Sequence, residues 1–190
     1  MHPRNRLSTQ TDLWYWLVIG GISKMSSPKH FLLCWRPPVA CPFFLPIQKF
    51  ENGSWLHPSR LPLGCGWGGR CTAPGHENVV PTEEELQNFC NLGYAEGCVR
   101  LPQNRAWDSV RFSARTIFDT GNNSGRCIHV RYICERAHRP AEHGFLEFDA
   151  VSSLCLKQHS DNRLQRMAEC FLSSYLERRK IRDTAQAVAS

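Results

Sequence analysis

The sequence predicts an α+β fold: a small two- or three-stranded antiparallel meander packed by a short helix and a C-terminal amphipathic helix, preceded by an irregular proline-rich strap. Three observations carry that expectation. Two segments alternate apolar and polar residues with period 2, two others repeat apolar residues at three- and four-residue steps, and many of the prolines and glycines gather before residue 81. At 190 residues and 42% hydrophobic content, the chain can bury one sizeable core.

At the N-terminus, Arg4 and Arg6 precede the apolar run LWYWLVIGGI, from Leu13 to Ile22. Asp12 abuts the run, Lys24 closes it, and no small-residue cleavage pattern comes after it, so the segment lacks the parts of a secretory signal. It is also far shorter than the roughly 20 apolar residues that span a bilayer. We therefore expect a cytoplasmic chain with no membrane segment. Residues 1–24 read as a non-native or disordered extension, with Met25 as an alternative start, because they carry no helix caps and share no pattern with the residues after Met25.

Residues 25–64 are expected to form the strap. Proline at the density of Pro37-Pro38, PFFLP and HPSRLP removes backbone donors and favours extended segments, with Phe43, Phe44, Phe50 and Trp55 as anchors. Asn52-Gly53-Ser54 and Asn122-Asn123-Ser124 fit the glycosylation acceptor pattern, but without an export signal they read as turns. One α+β domain is expected over 65–182, with a disordered tail at 183–190.

The stretch PTEEELQNFCNLG carries both ends of a helix over about 83–92. Thr82 is placed to cap it, Glu85 to complete a capping box, and Gly93 to take the left-handed C-terminal position. Leu86, Phe89 and Cys90 share its apolar side. In DSVRFSARTIF, Val110, Phe112, Ala114, Thr116 and Phe118 alternate with polar residues, and RCIHVRYIC repeats the pattern with Ile128, Val130, Tyr132 and Cys134. The two read as a hairpin, and GFLEFD adds a third strand across a loop ERAHRPAEH. The clearest helix is DNRLQRMAECFLSSYLERRKI, in which Leu164, Met167, Ala168, Phe171, Tyr175 and Leu176 form the stripe.

Ten cysteines in 190 residues fall below the roughly 8–10% that marks a disulfide scaffold. Cys71, Cys90 and Cys98 stand around the capped helix, which raises a thiolate-bound metal. No C-x-x-C knuckle occurs, so a classical zinc finger is disfavoured, whereas an iron–sulfur cluster needs converging thiolates without short spacing. The expected centre is zinc or iron–sulfur on Cys71, Cys90, Cys98 and Cys134. Cys134 ranks first as fourth ligand because it ends the apolar face of its strand; His76 ranks second and Cys65 third. Structural thiols and disulfides are the competing readings.

Catalytic signatures are missing: there is no H-E-x-x-H, no nucleophile elbow and no phosphate loop. An enzyme is therefore disfavoured. Cys127 and His129 share a strand face, but about 7 Å separates residues two apart at about 3.3 Å per residue, too far for a direct nucleophile–base pair. The competing function is a metal-free interaction module in which Arg111, Arg115 and Arg131 bind an acidic protein or nucleic acid. Charge argues weakly for it, because eight Lys/Arg face three Asp/Glu before residue 81 and 15 face 14 after it.

Overall fold

The computed structural model describes residues 39–51, 61–92, 95, 97–118 and 126–189. The expectations for residues 1–24, most of the strap, Trp55, both glycosylation-like triplets and Gly93 lie outside the described residues. The chain from Pro37 to Ser190 forms one compact unit.

The fold is mixed α and β, with one two-stranded and one four-stranded antiparallel sheet and a C-terminal helix. Strands β1 (Phe44–Lys49) and β2 (Trp67–Cys71) form the smaller sheet, so the proline-rich region contributes a strand that its sequence did not announce. Proline is compatible there because the pairing is irregular: the register shifts between Pro46 and Gln48. Gly69 is required by the closeness of the two strands, since a Cβ at that position would lie 2.1 Å from the Leu45 carbonyl oxygen.

A short helix comes next. Its first turn, α1 (Glu83–Glu85), is capped as the sequence predicts: Thr82 Oγ1 accepts the Glu85 N–H at 3.3 Å, and the Glu85 carboxylate accepts the Thr82 N–H at 2.8 Å. The continuation, Leu86–Cys90, widens into a π turn, closed by the Asn91 N–H donating to the Leu86 carbonyl at 3.1 Å.

The larger sheet runs in order β3 (Ser109–Phe118), β4 (Arg126–Arg136), β5 (Arg139–Asp149) and β6 (Cys155–Lys157). The segment ERAHRPAEH is not a loop. β4 and β5 continue through it to a two-residue turn, in which Ala137 (φ 49°) and His138 (φ 62°) both take left-handed backbone, the geometry that suits a tight hairpin. Asp108 secures this turn by accepting the Ala137 N–H at 2.6 Å, and it also accepts Arg105 Nε at 2.5 Å.

The inner face of the sheet follows the predicted alternation. Val110, Phe112, Ile128, Val130, Tyr132, Cys134, Leu146 and Phe148 are buried there. Helix α2 (Asn162–Ala189) covers β1, β3 and β4, burying Leu164, Met167, Ala168, Phe171 and Leu172, with Phe171 stacked on Phe112 at 5.8 Å. Asp161 receives the N–H groups of Arg163 and Leu164 at its start. The helix extends through 183–189, where a disordered tail was expected; alanine-rich RDTAQAVA has high intrinsic helix propensity and prolongs the last turns. Among the described residues, no helix is long and apolar enough to cross a membrane.

Candidate metal centre

The small sheet and the capped helix each carry cysteines at their ends. Cys41 comes directly after Ala40, which bridges to Val110 at the edge of β3 through paired hydrogen bonds of 2.7 and 2.9 Å. The chain then turns into β1, with the Phe44 N–H donating to the Cys41 carbonyl at 3.2 Å. Cys71 ends β2 opposite Phe44, so the hairpin register carries it back to the neighbourhood of Cys41. The Thr72 N–H and hydroxyl both donate to the Phe43 carbonyl, at 2.8 and 2.9 Å, and fix that end of the pairing.

Cys90 arrives from the other side. The Cys41 N–H donates to the Cys90 carbonyl at 3.4 Å, which joins the end of the helix to the entry of the hairpin. Asn91, 1% exposed, forms the second tie: its Oδ1 accepts the Trp67 N–H at 3.0 Å and its Nδ2 donates to the Trp67 carbonyl at 2.9 Å. The π turn lets Cys90 and Asn91 make these contacts in succession, and such turns concentrate at functional sites. Cys98 lies in a turn where its N–H donates to the Ala95 carbonyl and its carbonyl accepts the Leu101 N–H. The Arg100–Glu85 ion pair at 2.7 Å and the close approach of Gly97 to the Phe89 ring hold this turn against the helix.

Cys41 and Cys90 are tied by a backbone hydrogen bond, and both feel the charge of Cys71 and Cys98. Burial pushes the Cys41 thiol up to about 12, against hydrogen bonds from the Phe43 and Phe44 N–H groups, while Cys71 and Cys98 add to the rise. Cys90 is likewise raised, first by burial and then by Cys41, Cys98 and Cys71. Backbone donors are also aimed at a second sulfur, since the Ala73 N–H donates to Cys71 Sγ at 3.5 Å. Cys41 and Cys90 are buried, whereas Cys71 and Cys98 are half-exposed, so the group sits just beneath the surface.

The other expected ligands lie elsewhere. Cys134 is fully buried, and besides burial the groups that raise its thiol, to about 12, are Glu142 and Asp161 rather than any of the four cysteines. It shares the inner sheet face with Val110, its partner across β3, where alternation places it under α2. Cys65 also faces α2, with Sγ 3.2 Å from Ser174 Oγ. His76 is half-buried in the 71–79 loop, with its N–H on the Ala73 carbonyl at 2.9 Å. The residue that sequence reasoning missed is Cys41. Its signal was the C-P-F-F step, whose later N–H groups can point back at the sulfur, but the surrounding prolines read only as strap.

All nine described cysteines carry free thiols. Among the described residues, the three-donor grouping whose ligand atoms all lie within 4.8 Å of one another is Cys127, His129 and Glu147. No three of the four clustered sulfurs are that close. The arginines of the sheet divide: Arg111 is paired with the buried Glu135, and Arg115 and Arg131 are exposed on the outer face together with His129 and Glu147.

Comparison of the chain with protein-family models, with curated proteins and with solved structures finds no match.

Proposed function

We propose that the protein is a metal-binding protein whose centre is held by Cys41, Cys71, Cys90 and Cys98, and that the centre is an iron–sulfur cluster. The observation that carries this reading is the Cys41–Cys90 backbone tie, with both thiols feeling Cys71 and Cys98 and with N–H groups aimed at two of the sulfurs. Two buried thiols with two more near the surface gain little beyond packing without a common ligand. Thiolates around a metal, stabilised by backbone N–H groups, use every part of the arrangement.

The lack of a short C-x-x-C knuckle supports a cluster over a single zinc ion. With Zn–S bonds of about 2.3 Å, four thiolates on one zinc lie about 3.8 Å apart. A cube of iron and sulfide holds its thiolates farther apart, because each binds a different iron. Such a centre would staple the hairpin, helix and turn to one another and supply one-electron transfer near the surface. Arg100, which feels both Cys71 and Cys98, would favour the more negative reduced state.

The test is anaerobic purification, then iron, zinc and acid-labile sulfide analysis with a visible spectrum. Brown protein with iron and sulfide, bleached by dithionite, is the expected result. Colourless protein with one zinc per chain would keep the ligands and replace the cluster, whereas metal-free folded protein with all four thiols open to alkylation would overturn the reading.

A further inference from the structure

The outer face of the four-stranded sheet carries a second set of donors that shares no residue with the four cysteines. His129 and Glu147 are directly opposite each other in the β4–β5 register, and Cys127 lies two residues before His129 on the same face of β4. The antiparallel pairing thus converges a thiol, an imidazole and a carboxylate, with one ligand atom of each within 4.8 Å of the others. The strand spacing of about 7 Å that argues against a direct Cys127–His129 pair is closed by side chains that lean toward each other.

We propose that Cys127, His129 and Glu147 form a second site, for a divalent ion of borderline softness such as zinc, with its fourth position open to solvent. The His129 Nε2 to Glu147 Oε1 distance is 3.5 Å. Tetrahedral zinc with Zn–N and Zn–O bonds of about 2.1 Å separates its nitrogen and oxygen ligands by about 3.4 Å. The imidazole is already oriented, because its ring stacks on Phe145 at 4.7 Å and 18°, and Lys157 Nζ lies 3.7 Å over the other partner of that stack. Packing therefore fixes the ring plane before any ion arrives, and only the carboxylate and thiol need adjust. A soft sulfur, an imidazole and one carboxylate suit zinc or its cobalt substitute better than magnesium or calcium, which take oxygen ligands. Three protein ligands and an open position are the arrangement of zinc sites that bind an exchangeable water or a small anion. Arg115 is the β3 partner of His129.

The experiment is a cobalt(II) titration of the full chain with its first centre in whatever state purification leaves it. The wild type is expected to take one equivalent more than Cys127→Ser and more than His129→Ala, and that equivalent carries a sulfur-to-cobalt charge-transfer band. Glu147→Gln, a conservative change on a half-exposed side chain, is expected to weaken that equivalent at least tenfold while far-UV circular dichroism stays unchanged. Equal cobalt stoichiometry in the wild type, Cys127→Ser and His129→Ala would overturn the proposal, whatever the fate of the first centre.

Discussion

The two halves of the folded unit solve the same problem by different means. Residues 109–189 bury long alternating strands under an amphipathic helix, and their stability comes from packed apolar area around Phe148, Leu146, Ile128 and Leu164, each 1% exposed or less. The described residues of 39–101 form strands of five and six residues, a helix of two short turns and several tight loops. Few of those elements are long enough to hold themselves together, and isolated two-stranded sheets are marginal in water. In that half, Phe44, Leu63, Trp67 and Leu86 join the same core, and side-chain ties such as Asn91 and Arg100–Glu85 add to it. A metal would matter most there, among elements too short to stand alone.

Removing the proposed metal should separate the halves more than any other change. Structural metal sites contribute on the order of 10 kcal/mol to small domains that depend on them. Chelation under reducing conditions is therefore expected to abolish amide-exchange protection at Cys41, Cys71 and Asn91, yet leave β3–β5 protected. Loss of protection in both halves together would erase the distinction between them.

Truncating the sheet core tests the converse. Phe148→Ala should cost about 3–5 kcal/mol in chemical denaturation, as other large-to-small core changes do. Because Ala40 hangs from Val110, the cysteine half is expected to unfold in the same transition. A variant whose metal spectrum persisted beyond the unfolding of the sheet would show that the first half stands alone.

A smaller effect is expected at Asp108. Burial raises its carboxyl, but the Ala137 N–H and Arg105 outweigh burial and hold it below the usual carboxylate range. A carboxyl depressed by folding stabilises fully above its unfolded pKa of about 3.9, and that contribution is lost as pH falls through the folded value. Asp108→Asn should thus cost about 1–3 kcal/mol near neutrality, with the gap to wild type closing below about pH 4. A gap that stayed constant with pH would assign the loss to shape rather than charge. The smallest change is Thr82→Ala, which removes one side of the capping box and should cost about 1 kcal/mol, read as faster exchange at Glu85 before any effect on the sheet.

Legibility in the sequence divides along the same line. The capping box, the faces of β3 and β4, and the stripe of α2 were readable because each is a local pattern that packing reinforces. The turn at Ala137-His138 was hidden, since neither residue advertises left-handed backbone as Asn-Gly would. β1 was hidden by Pro42 and Pro46, which ordinarily argue against a strand. At the candidate site, Cys71, Cys90 and Cys98 stood out by their positions around one helix. Cys134 was chosen for its apolar face, but periodicity reports that a residue is buried and not which neighbours it meets. Cys41 meets the other three through the β1–β2 register and the Ala40 bridge, both long-range pairings that no local pattern encodes.

Cys41 in place of Cys134 is the decisive difference between a site read from periodicity and one read from the fold. The sharpest check is metal content per chain, measured anaerobically for Cys41→Ser and Cys134→Ser beside the wild type. Cys41→Ser is expected to lose the centre and Cys134→Ser to keep it; a centre that survives Cys41→Ser and disappears with Cys134→Ser would refute the four-cysteine assignment.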